Sequence, residues 1–536
     1  MTNNPDESAP DELRYPPGTV VLVSRRDSAA GVGGEIVLSP APSDNPNDPL
    51  MWSAWRKSLN FAQLSAMSII ISTSIAMQPV FWAQMRKDIG ASFQEMANSL
   101  SCALVGLAIG CLVFIPFTIK YGRRSSFVLP TAIIAITAWW AAYMKTVGEL
   151  YVTALLFGLA GATSQTAIEM SINDLFYVHQ RATANGVYVA TIMVGNFLVP
   201  MAAGAEAVHM GWRACFKTLA ASVTALVVIM VFALEETKFI RDVDINAVDA
   251  GISAEGVKDD EAGIAHKAPE TASGAIHCET QASRVPKTYW QRLRFFTTTP
   301  ESLWTVAKLP FYTFWFPHVA FSSLQLAAVQ TFYSVLSSST SIIFSSPPYN
   351  FNAAQIGYMS TGLCIGAILG AVYGGYFTDR AMLWFARRNN GVFEPEMRLY
   401  LLPLPAVTML VGLIVNGFTA DKGMHWIYPS IGRVIFGFGN SAATDTFFTI
   451  VIDAFPALVG QTFVSVVFFQ NALSIAGPFA IETWRHNMGI TNMFITAAVL
   501  GLVINALAIP LVIWGKRARI AVAPRYHQLA KAGLRK

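Results

Sequence analysis

Long apolar runs alternate with short polar segments along most of the chain, and their length predicts the fold. An α-helix needs about 20 apolar residues to cross the hydrocarbon core of a bilayer. Such runs occur six times before and six times after a polar stretch in the middle of the chain. The pattern predicts transmembrane helices near residues 58–82, 97–118, 125–145, 149–172, 184–206, 213–234, 304–333, 353–377, 399–418, 427–452, 459–481 and 490–515.

The composition fits a protein that is largely surrounded by lipid. Of the 536 residues, 53% are hydrophobic and 13% are charged, which is about half the charged fraction of a soluble domain. The net charge of +4 gives no reason to expect a nucleic-acid partner. The five cysteines show no paired spacing, so neither disulfides nor a metal site are expected. Nucleotide-binding and metalloprotease motifs are absent from the sequence, so we expect neither an enzyme nor a cofactor.

The polar segments divide the chain into five parts. Residues 1–57 are polar and rich in proline and acids, which indicates a disordered cytosolic tail. Residues 236–300 are small, polar and charged, as in a flexible cytosolic linker. Residues 58–235 and 301–515 form two predicted six-helix bundles, and residues 516–536 form a basic cytosolic tail. The predicted fold is an all-α polytopic membrane protein with twelve transmembrane helices.

The lysines and arginines predict the orientation in the membrane. If both tails are cytosolic, fifteen of these residues flank the inner ends of the spans and six flank the outer ends. Cytosolic loops carry the excess of positive charge in membrane proteins. The sequence therefore predicts that both termini are cytosolic.

The two predicted bundles are related by an internal repeat. Asp174 ends the fourth span and Asp453 ends the tenth, both in D-x-F steps, at an offset of 279 residues. The second and eighth spans carry small residues at every fourth position, Gly106 and Gly366 among them, and such residues let two helices approach closely. Two six-helix halves suggest a transporter whose site lies between them.

Seven stretches from residue 47 onward form a recognisable set: NDPLMWSAWRK (47–57), IKYGRRSSF (119–127), DLFYVHQRATANGVY (174–188), GWRACF (211–216), LEETKF (234–239), SSPPYNFNAAQIG (345–357) and DRAMLWFARRNNGVFEPEMRLY (379–400). In this order they resemble the major facilitator superfamily, and more narrowly its fungal drug:proton antiporter branch with twelve spans. The resemblance implies a cavity lined by the first, fourth, seventh and tenth spans, and a fungal plasma-membrane location. It does not specify a substrate.

The same resemblance implies a gate built from charged loops. The superfamily pattern G-x-x-x-D-R-x-G-R-R is incomplete after the second span, where Ile119 and Lys120 occupy the acidic and first basic positions. If this loop forms a charge lock, the lock is weakened or its acid comes from elsewhere. The gate residues implied by the resemblance are Gly122, Arg123, Arg124, Asp174, Arg181, Gly375, Asp379, Arg380 and Asp453.

The fifth span bears on the direction of transport. The antiporter pattern of the resembled branch is G-x-x-x-G-P-x-x-G-G, and the stretch GNFLVPMAAG keeps Gly195, Pro200 and Gly204 but not the Gly-Pro pair. The resemblance makes export the expected direction, and the missing Gly-Pro pair keeps uptake open.

Carboxylates within the spans are the candidates for proton coupling, because a charge at the bilayer centre costs about 2.5 to 3.5 kcal/mol on insertion scales. Gln165, Glu169 and Asn173 recur every four residues on the fourth span and so share one helix face. A carboxyl group with little water around it can exchange a proton near neutral pH, which makes Glu169 the first candidate and Asp445 the second. A structural carboxyl is the alternative for Glu169, while Asp445 could also bind a cationic substrate or pair with an arginine.

Uncharged polar residues on the predicted cavity spans are candidates for contacting the substrate, with helix packing as their alternative role. Arg433, on the tenth span, needs an acid, backbone carbonyls or an anionic ligand, and a structural pair is the favoured outcome. The substrate-cavity candidates are Ser72, Gln78, Gln165, Asn173, Gln325, Tyr333 and Asn440.

These observations predict a proton-coupled secondary transporter that exports a small organic compound, such as a drug, toxin or secondary metabolite, by rocking of its halves. Its expected partners are the substrate, protons and the lipid bilayer, and a monomer is expected. An uptake carrier for a small nutrient or organic cation on the same fold is the first alternative. A transporter-like receptor that moves no substrate is the second.

Overall fold

The computed structural model describes residues 16–21, 47–238, 288–297, 303–389 and 391–534. Within these residues, eleven helical segments are long and apolar enough to cross a membrane. The last of them, Val459–Leu529, has 71 residues and would be about 107 Å long as one helix, more than three times the hydrocarbon thickness. Gly489 interrupts it with φ 76° and ψ 169°. The segment therefore supplies two crossings, which confirms the twelve-helix prediction.

The helices of the spans follow the predicted order. Short helices cover Trp82–Ile89, Tyr289–Arg292 and Leu303–Thr313, and short 3-10 turns cover Pro49–Met51, Gln78–Phe81, Pro395–Leu401 and Pro456–Leu458. In chain order the spans comprise Ala54–Ala76; Phe93–Tyr121; Arg123–Tyr143; Val147–Leu175; Val178–Met193 with the π-helical turn Val194–Leu198 and Val199–Met210; Trp212–Ala233; Pro317–Phe344; Ala353–Tyr358 with Ser360–Val372, the π-helical turn Tyr373–Phe377 and Thr378–Arg388; Pro403–Asp421; Ile427–Ala454; Val459–Ser474 with Ala476–Ala506 up to Gly489; and the rest of Ala476–Ala506 with Ala508–Leu534.

Local signals fix several helix ends. Ser92 begins the second span with a capping box, because its side chain accepts from the Glu95 N–H while the Glu95 carboxylate accepts from the Ser92 N–H. This exchange satisfies two of the donors that a helix N-terminus leaves open. At the other end, Gly122 adopts φ 107°, a conformation that suits glycine, and the third span starts at Arg123.

Both halves pack their second and fourth helices in the same way. A Cβ built on Gly106 would lie 2.2 Å from the Leu155 carbonyl oxygen, and one built on Gly366 would lie 2.2 Å from the Val434 carbonyl oxygen. No side chain fits at these distances, so only glycine allows the backbones to meet. The shared contact agrees with the repeat seen in the sequence.

Two faces of the molecule are named by their residues. The terminal face is where the first span begins at Ala54 and the tenth ends at Ala454, and the distal face is where the first span ends at Ala76. The halves touch near the distal face, where the Ser341 hydroxyl donates to the Pro79 carbonyl. The fifth and eighth spans also meet there, because a Cβ on Gly204 would lie 2.6 Å from the Ala353 carbonyl oxygen.

The seventh span differs from its predicted bounds of 304–333. Its helix is Pro317–Phe344, preceded by the separate helix Leu303–Thr313. The prediction ended too early because residues 334–341 are rich in serine. Ser339 and Thr340, for example, donate to the carbonyl oxygens four residues earlier at 2.6 and 2.8 Å, so their hydroxyls are satisfied without leaving the helix.

The predicted tails and linker also carry structure where they are described. The first span starts at Ala54, within the predicted tail 1–57, and the last helix continues to Leu534, through most of the predicted tail 516–536. Residues 239–287 of the predicted linker lie outside the described residues.

A short segment before the first span docks on the second half. Strand β1, Val20–Val21, pairs antiparallel with strand β2, Val392–Phe393. Beside it, Arg519 Nη1 donates to the carbonyl oxygen of Pro17 at 2.6 Å and to the Thr19 hydroxyl at 2.9 Å. A two-residue strand has no sequence signature, so this pairing could not be predicted.

Candidate transport site

A cavity of about 170 Å³ lies between the two halves, at mid-height in the spans. Its lining is apolar on the second span and polar on the fourth, fifth and seventh, with no charged side chain among the described residues. The polar lining residues are Ser72, Ser164, Gln165, Tyr188, Asn196, Gln330, Tyr333, Ser334 and Ser337.

Three of the predicted cavity residues line this space: Ser72, Gln165 and Tyr333. The Gln165 side-chain oxygen accepts a hydrogen bond from Asn471 Nδ2 at 3.1 Å. Because Gln165 is on the fourth span and Asn471 on the eleventh, this hydrogen bond joins the two halves at the cavity.

Three other predicted cavity residues lie elsewhere. Gln78 donates to the Ser99 hydroxyl at 2.6 Å, and Gln325 donates to the Ile504 carbonyl at 2.6 Å, toward the twelfth span. Asn440 does not line the cavity, and its buried side-chain oxygen has no hydrogen-bond partner in the part of the chain that the structure describes. The side chains of Glu169, Asn173 and Arg181 lie outside the described residues.

The structure adds cavity residues to the predicted set. Gln330, Ser334 and Ser337 line the cavity from the seventh span, at intervals of four and three that put them on one helix face. That spacing is visible in the sequence and could have identified them. Asn196 lies in the π-helical turn of the fifth span, and π-helical turns are frequent at functional sites.

Asp445 is the described carboxylate with the most unusual surroundings. It is half-buried on the tenth span, eight residues or about 12 Å before Asp453 at the terminal-face end of that helix. Among the described residues no hydrogen bond or ion pair reaches its carboxylate. The carboxylate lies against the π-helical turn of the eighth span, where a Cβ on Gly374 would be 2.7 Å from Asp445 Oδ2.

Arg433 is fully buried on the same helix and is satisfied by neutral acceptors. Its guanidinium donates to Asn416 Oδ1 at 3.2 Å, to the Thr340 hydroxyl at 2.7 Å and to the Met359 carbonyl at 3.4 Å. It also lies 5.2 Å from the ring centroid of Phe344. Of the partners that the sequence argument named, Arg433 meets a backbone carbonyl among the described residues, and no acid there pairs with it. The side chains of Asn416 and Thr340 complete its contacts.

The predicted gate residues of the first half form one charged cluster. Arg123 Nε donates to Asp174 Oδ2 at 3.1 Å, which links the start of the third span to the end of the fourth. The Glu236 carboxylate accepts from the backbone N–H groups of Arg123 and Arg124 at 2.8 and 3.2 Å. An acid, Glu236, thus comes to this loop from the end of the sixth span, where the sequence LEETKF has two consecutive acids.

The second half builds the equivalent cluster with a different arginine. Arg398 Nε donates to Asp453 Oδ2 at 2.6 Å, and Arg398 Nη1 lies 3.5 Å from Asp379 Oδ1. Arg380, which the sequence pattern indicated, lies instead over the Tyr376 ring at 4.8 Å. A Cβ on Gly375 would meet nothing within 4 Å. Asp174 and Asp453, related by the repeat, therefore both bind an arginine at the terminal face.

Comparison with protein-family models shows which family the chain belongs to. Residues 64–478 match the family model of the Major Facilitator Superfamily. The chain belongs to the Major Facilitator Superfamily. Proteins of this superfamily are transporters and not enzymes, which confirms the expectation that the chain is not an enzyme.

Three relatives from yeasts show how far the similarity extends. The chain is 27% identical to an uncharacterized MFS-type transporter of Schizosaccharomyces pombe over 95% of this chain and 94% of the relative. It is 25% identical to Protein HOL1 of Saccharomyces cerevisiae over 95% of this chain and 96% of HOL1. It is 24% identical to the probable drug/proton antiporter YHK8 of the same yeast over 74% of this chain and 72% of YHK8.

The fold of the superfamily is also seen in solved structures. A crystal structure of a D-xylose-proton symporter matches with a TM-score of 0.58 and 12% identity, over 85% of this chain and 97% of that chain. At this identity the likeness shows the fold alone.

A second, larger space lies at the terminal face of this major facilitator superfamily protein. A groove of about 960 Å³ runs between the first and fifth spans and reaches Ile69 and Val187. Ile71 and Tyr188, two residues and one residue further along these helices, line the central cavity. The Tyr188 hydroxyl donates to the Ser164 carbonyl at 2.5 Å, and Tyr188 directly follows the groove residue Val187.

Proposed function

We propose that this protein is a proton-coupled secondary transporter that exports a small organic compound by alternating access. The observation that carries the proposal is the position of Asp445: a membrane-embedded carboxylate, without an ion pair among the described residues, placed against a π-helical turn. A carboxylate held in this way gains or loses a proton more readily than one locked by an arginine. Glu169, on the repeat-related fourth span, is the second proton-coupling residue of the proposal.

The central cavity supports a small and largely uncharged binding surface. Its volume of about 170 Å³ is below the usual range of about 300 to 1,000 Å³ for drug-sized ligands. Hydroxyl and amide groups such as Gln165, Asn196 and Gln330 can orient a substrate by hydrogen bonds, while the apolar second span contacts its carbon frame.

The proposal assigns the terminal face to the cytosol of a fungal plasma membrane. The excess of lysine and arginine at the inner ends of the spans supports this orientation. The groove between the first and fifth spans then faces the cytosol, and the packed distal face is the outer side. A substrate from the cytosol would reach the cavity past Tyr188. The similarity to YHK8, a probable drug/proton antiporter, supports export.

In the proposed cycle, each charged cluster braces the helices of its own half at the terminal face. Arg123–Asp174 and Arg398–Asp453 each join neighbouring helices within one half, so each half moves as one body. Protonation of Asp445 removes a charge from the boundary between the eighth and tenth spans and changes how these helices pack. The change in packing biases the halves between their two arrangements.

The experiment that tests this function is proton movement in proteoliposomes loaded with a pH-sensitive dye. A panel of organic cations, organic acids and neutral toxins is added to wild type, Asp445→Asn and Glu169→Gln. We expect at least one compound to move protons in wild type and not in Asp445→Asn. Asp421→Asn is the matched control, because the Asp421 carboxylate accepts from the Thr491 hydroxyl at 2.6 Å at the exposed distal end of the ninth span.

The sign of the proton flux decides the direction. Counter-movement of substrate and proton supports export, whereas movement in the same direction supports uptake, which the incomplete fifth-span pattern leaves as the second candidate. If both variants move protons as well as wild type, coupling through Asp445 and Glu169 is refuted. If substrate moves in wild type without proton movement, proton coupling itself is refuted. If no compound moves at all in protein shown to be folded, the proposal gives way to a receptor that does not transport.

A further inference from the structure

The helix that ends the eighth span extends beyond the membrane. The span Ala353–Arg388 has 36 residues, or about 54 Å at 1.5 Å per residue, against a hydrocarbon core of about 30 Å. Its last part, Thr378–Arg388, follows the π-helical turn Tyr373–Phe377, and we name it the arm. The arm therefore lies at the level of the lipid headgroups on the terminal face.

The arm has one face that packs on the protein and one that does not. Met382 and Ala386 are buried against Phe393 and Met397. On the opposite side, Trp384 is 49% exposed. A helix with one packed face and a large apolar side chain on its open face, at headgroup level, has the pattern of an interfacial membrane contact.

Arginines stand beside this apolar surface. Arg380, Arg387 and Arg388 are exposed, and the Arg388 guanidinium lies 3.9 Å from the ring centroid of Trp384. Stacking on an aromatic ring fixes the guanidinium plane but leaves its N–H donors for another partner. Within the described residues none of these three arginines is paired with an acid.

The loop arginines of the first half show how the protein itself can satisfy such side chains. Arg123 is paired with Asp174 at 3.1 Å. Arg124 donates to the carbonyls of Val231 and Leu293. In the second half Arg398 pairs with Asp453. Arg380 and Arg388 of the arm lie over the rings of Tyr376 and Trp384, and among the described residues no acid pairs with them. Their N–H donors are therefore open to an external anion.

We propose that the arm binds the phosphate groups of anionic phospholipids in the leaflet at the terminal face. The apolar side chain of Trp384 would enter the headgroup region while the three guanidiniums bind phosphate oxygens. A lipid is favoured over a soluble polyanion because the arm continues a membrane span and places its arginines and Trp384 on one surface. Each such arginine strengthens binding to an anionic membrane surface about fivefold.

The test measures binding of a fluorescent short-chain phosphatidylserine to the detergent-solubilised full-length protein. The double variant R387Q/R388Q is compared with R517Q/R525Q, which removes the same charge from exposed arginines of the last helix. We expect R387Q/R388Q to weaken binding by about 10-fold or more and R517Q/R525Q to change it less than twofold. W384A, which leaves every charge in place, should weaken binding several-fold.

Gel filtration and circular dichroism establish that each variant is folded. The proposal is overturned if R387Q/R388Q binds phosphatidylserine like wild type, or if R517Q/R525Q loses as much. It is also overturned if inorganic phosphate displaces the lipid at equal concentration, because the site would then bind a free anion. A third contrary outcome is that heparin binds through the same arginines while the lipid does not. Phosphatidylcholine, which carries no net charge, should bind at least 10-fold more weakly than phosphatidylserine.

Discussion

Asp445 on the tenth span and Gly374 on the eighth are in direct contact, and no side chain fits between them. A Cβ on Gly374 would lie 2.7 Å from Asp445 Oδ2 and 2.9 Å from Asp445 Cβ. The absence of a side chain at Gly374 therefore decides where the carboxylate can be. The contact also joins the carboxylate to the π-helical turn Tyr373–Phe377.

Gly374→Ala should uncouple or stop transport. The added methyl group must push the carboxylate or the helix aside, and a displacement of about 1 Å at a reacting group can cost on the order of 100-fold in rate. We expect substrate-driven proton movement to fall by about 10-fold or more. Gly375→Ala is the matched control, since its Cβ would meet nothing within 4 Å. Equal activity in both variants would contradict a role for the contact, and equal loss would point to the turn as a whole.

Gly204→Ala should open the distal face. A Cβ there would lie 2.6 Å from the backbone oxygen of Ala353, and overpacking of this kind costs about 1 to 3 kcal/mol. The measurement is the rate at which a membrane-impermeant maleimide labels Ser337→Cys from the distal side. We expect the Gly204→Ala substitution to raise this rate on the order of 10-fold. Gly186→Ala, on the same span and without a neighbour within 4 Å, should leave it unchanged.

The ion pairs Arg123–Asp174 and Arg398–Asp453 should contribute equally to stability. Arg398 and Asp453 retain 12% and 24% side-chain exposure, and Arg123 and Asp174 retain 15% and 29%. Double-mutant cycles with R398Q/D453N and R123Q/D174N, read by thermal unfolding in detergent, should each give a coupling energy of about 1 kcal/mol. R380Q with D453N should give a coupling near zero. A large coupling energy between Arg380 and Asp453 would show that Arg380 is the partner of Asp453, as the sequence pattern indicated.

Glu396 should make stability depend on acid pH. It is buried between Arg519, whose Nε and Nη2 donate to it at 2.8 and 2.7 Å, and His318 at 3.0 Å. Burial alone would raise the pKa of the Glu396 carboxyl, but the hydrogen bonds from His318 and Arg519 and the charge of Arg519 lower it from 4.5 to about 2. A carboxyl group whose pKa is lower in the folded than in the unfolded protein stabilises the fold at pH values above the unfolded pKa. This contribution is therefore lost as the pH falls from about 4.5 to about 2.

The check is thermal unfolding of wild type and Glu396→Gln between pH 7 and pH 3. At pH 7 the substitution should lower the free energy of unfolding by about 3 kcal/mol, because it leaves Arg519 buried beside a neutral group. Below pH 4.5 wild type should lose stability more steeply than the variant. Parallel pH profiles for the two proteins would show that Glu396 does not carry this dependence.

Most of the fold could be predicted because membrane spans are long and strongly apolar. The twelve crossings and the equivalence of Asp174 with Asp453 needed only run length and offset. Side-chain partners were harder to predict, because helical spacing gives the angle between residues but not which neighbouring helix they meet. Gln325 was expected at the cavity and instead contacts Ile504 on the twelfth span. Arg398 could not be chosen over Arg380, since sequence spacing does not show which arginine meets Asp453, 55 residues beyond Arg398.

The docking of residues 16–21 on the second half has a consequence for how the chain is made. Their partners Phe393 and Arg519 are synthesised about 370 and about 500 residues later. At about 5 to 20 residues per second, the segment waits on the order of 20 to 100 s for its binding surface. The first-made part of the protein therefore reaches its final place only after the last span has been synthesised.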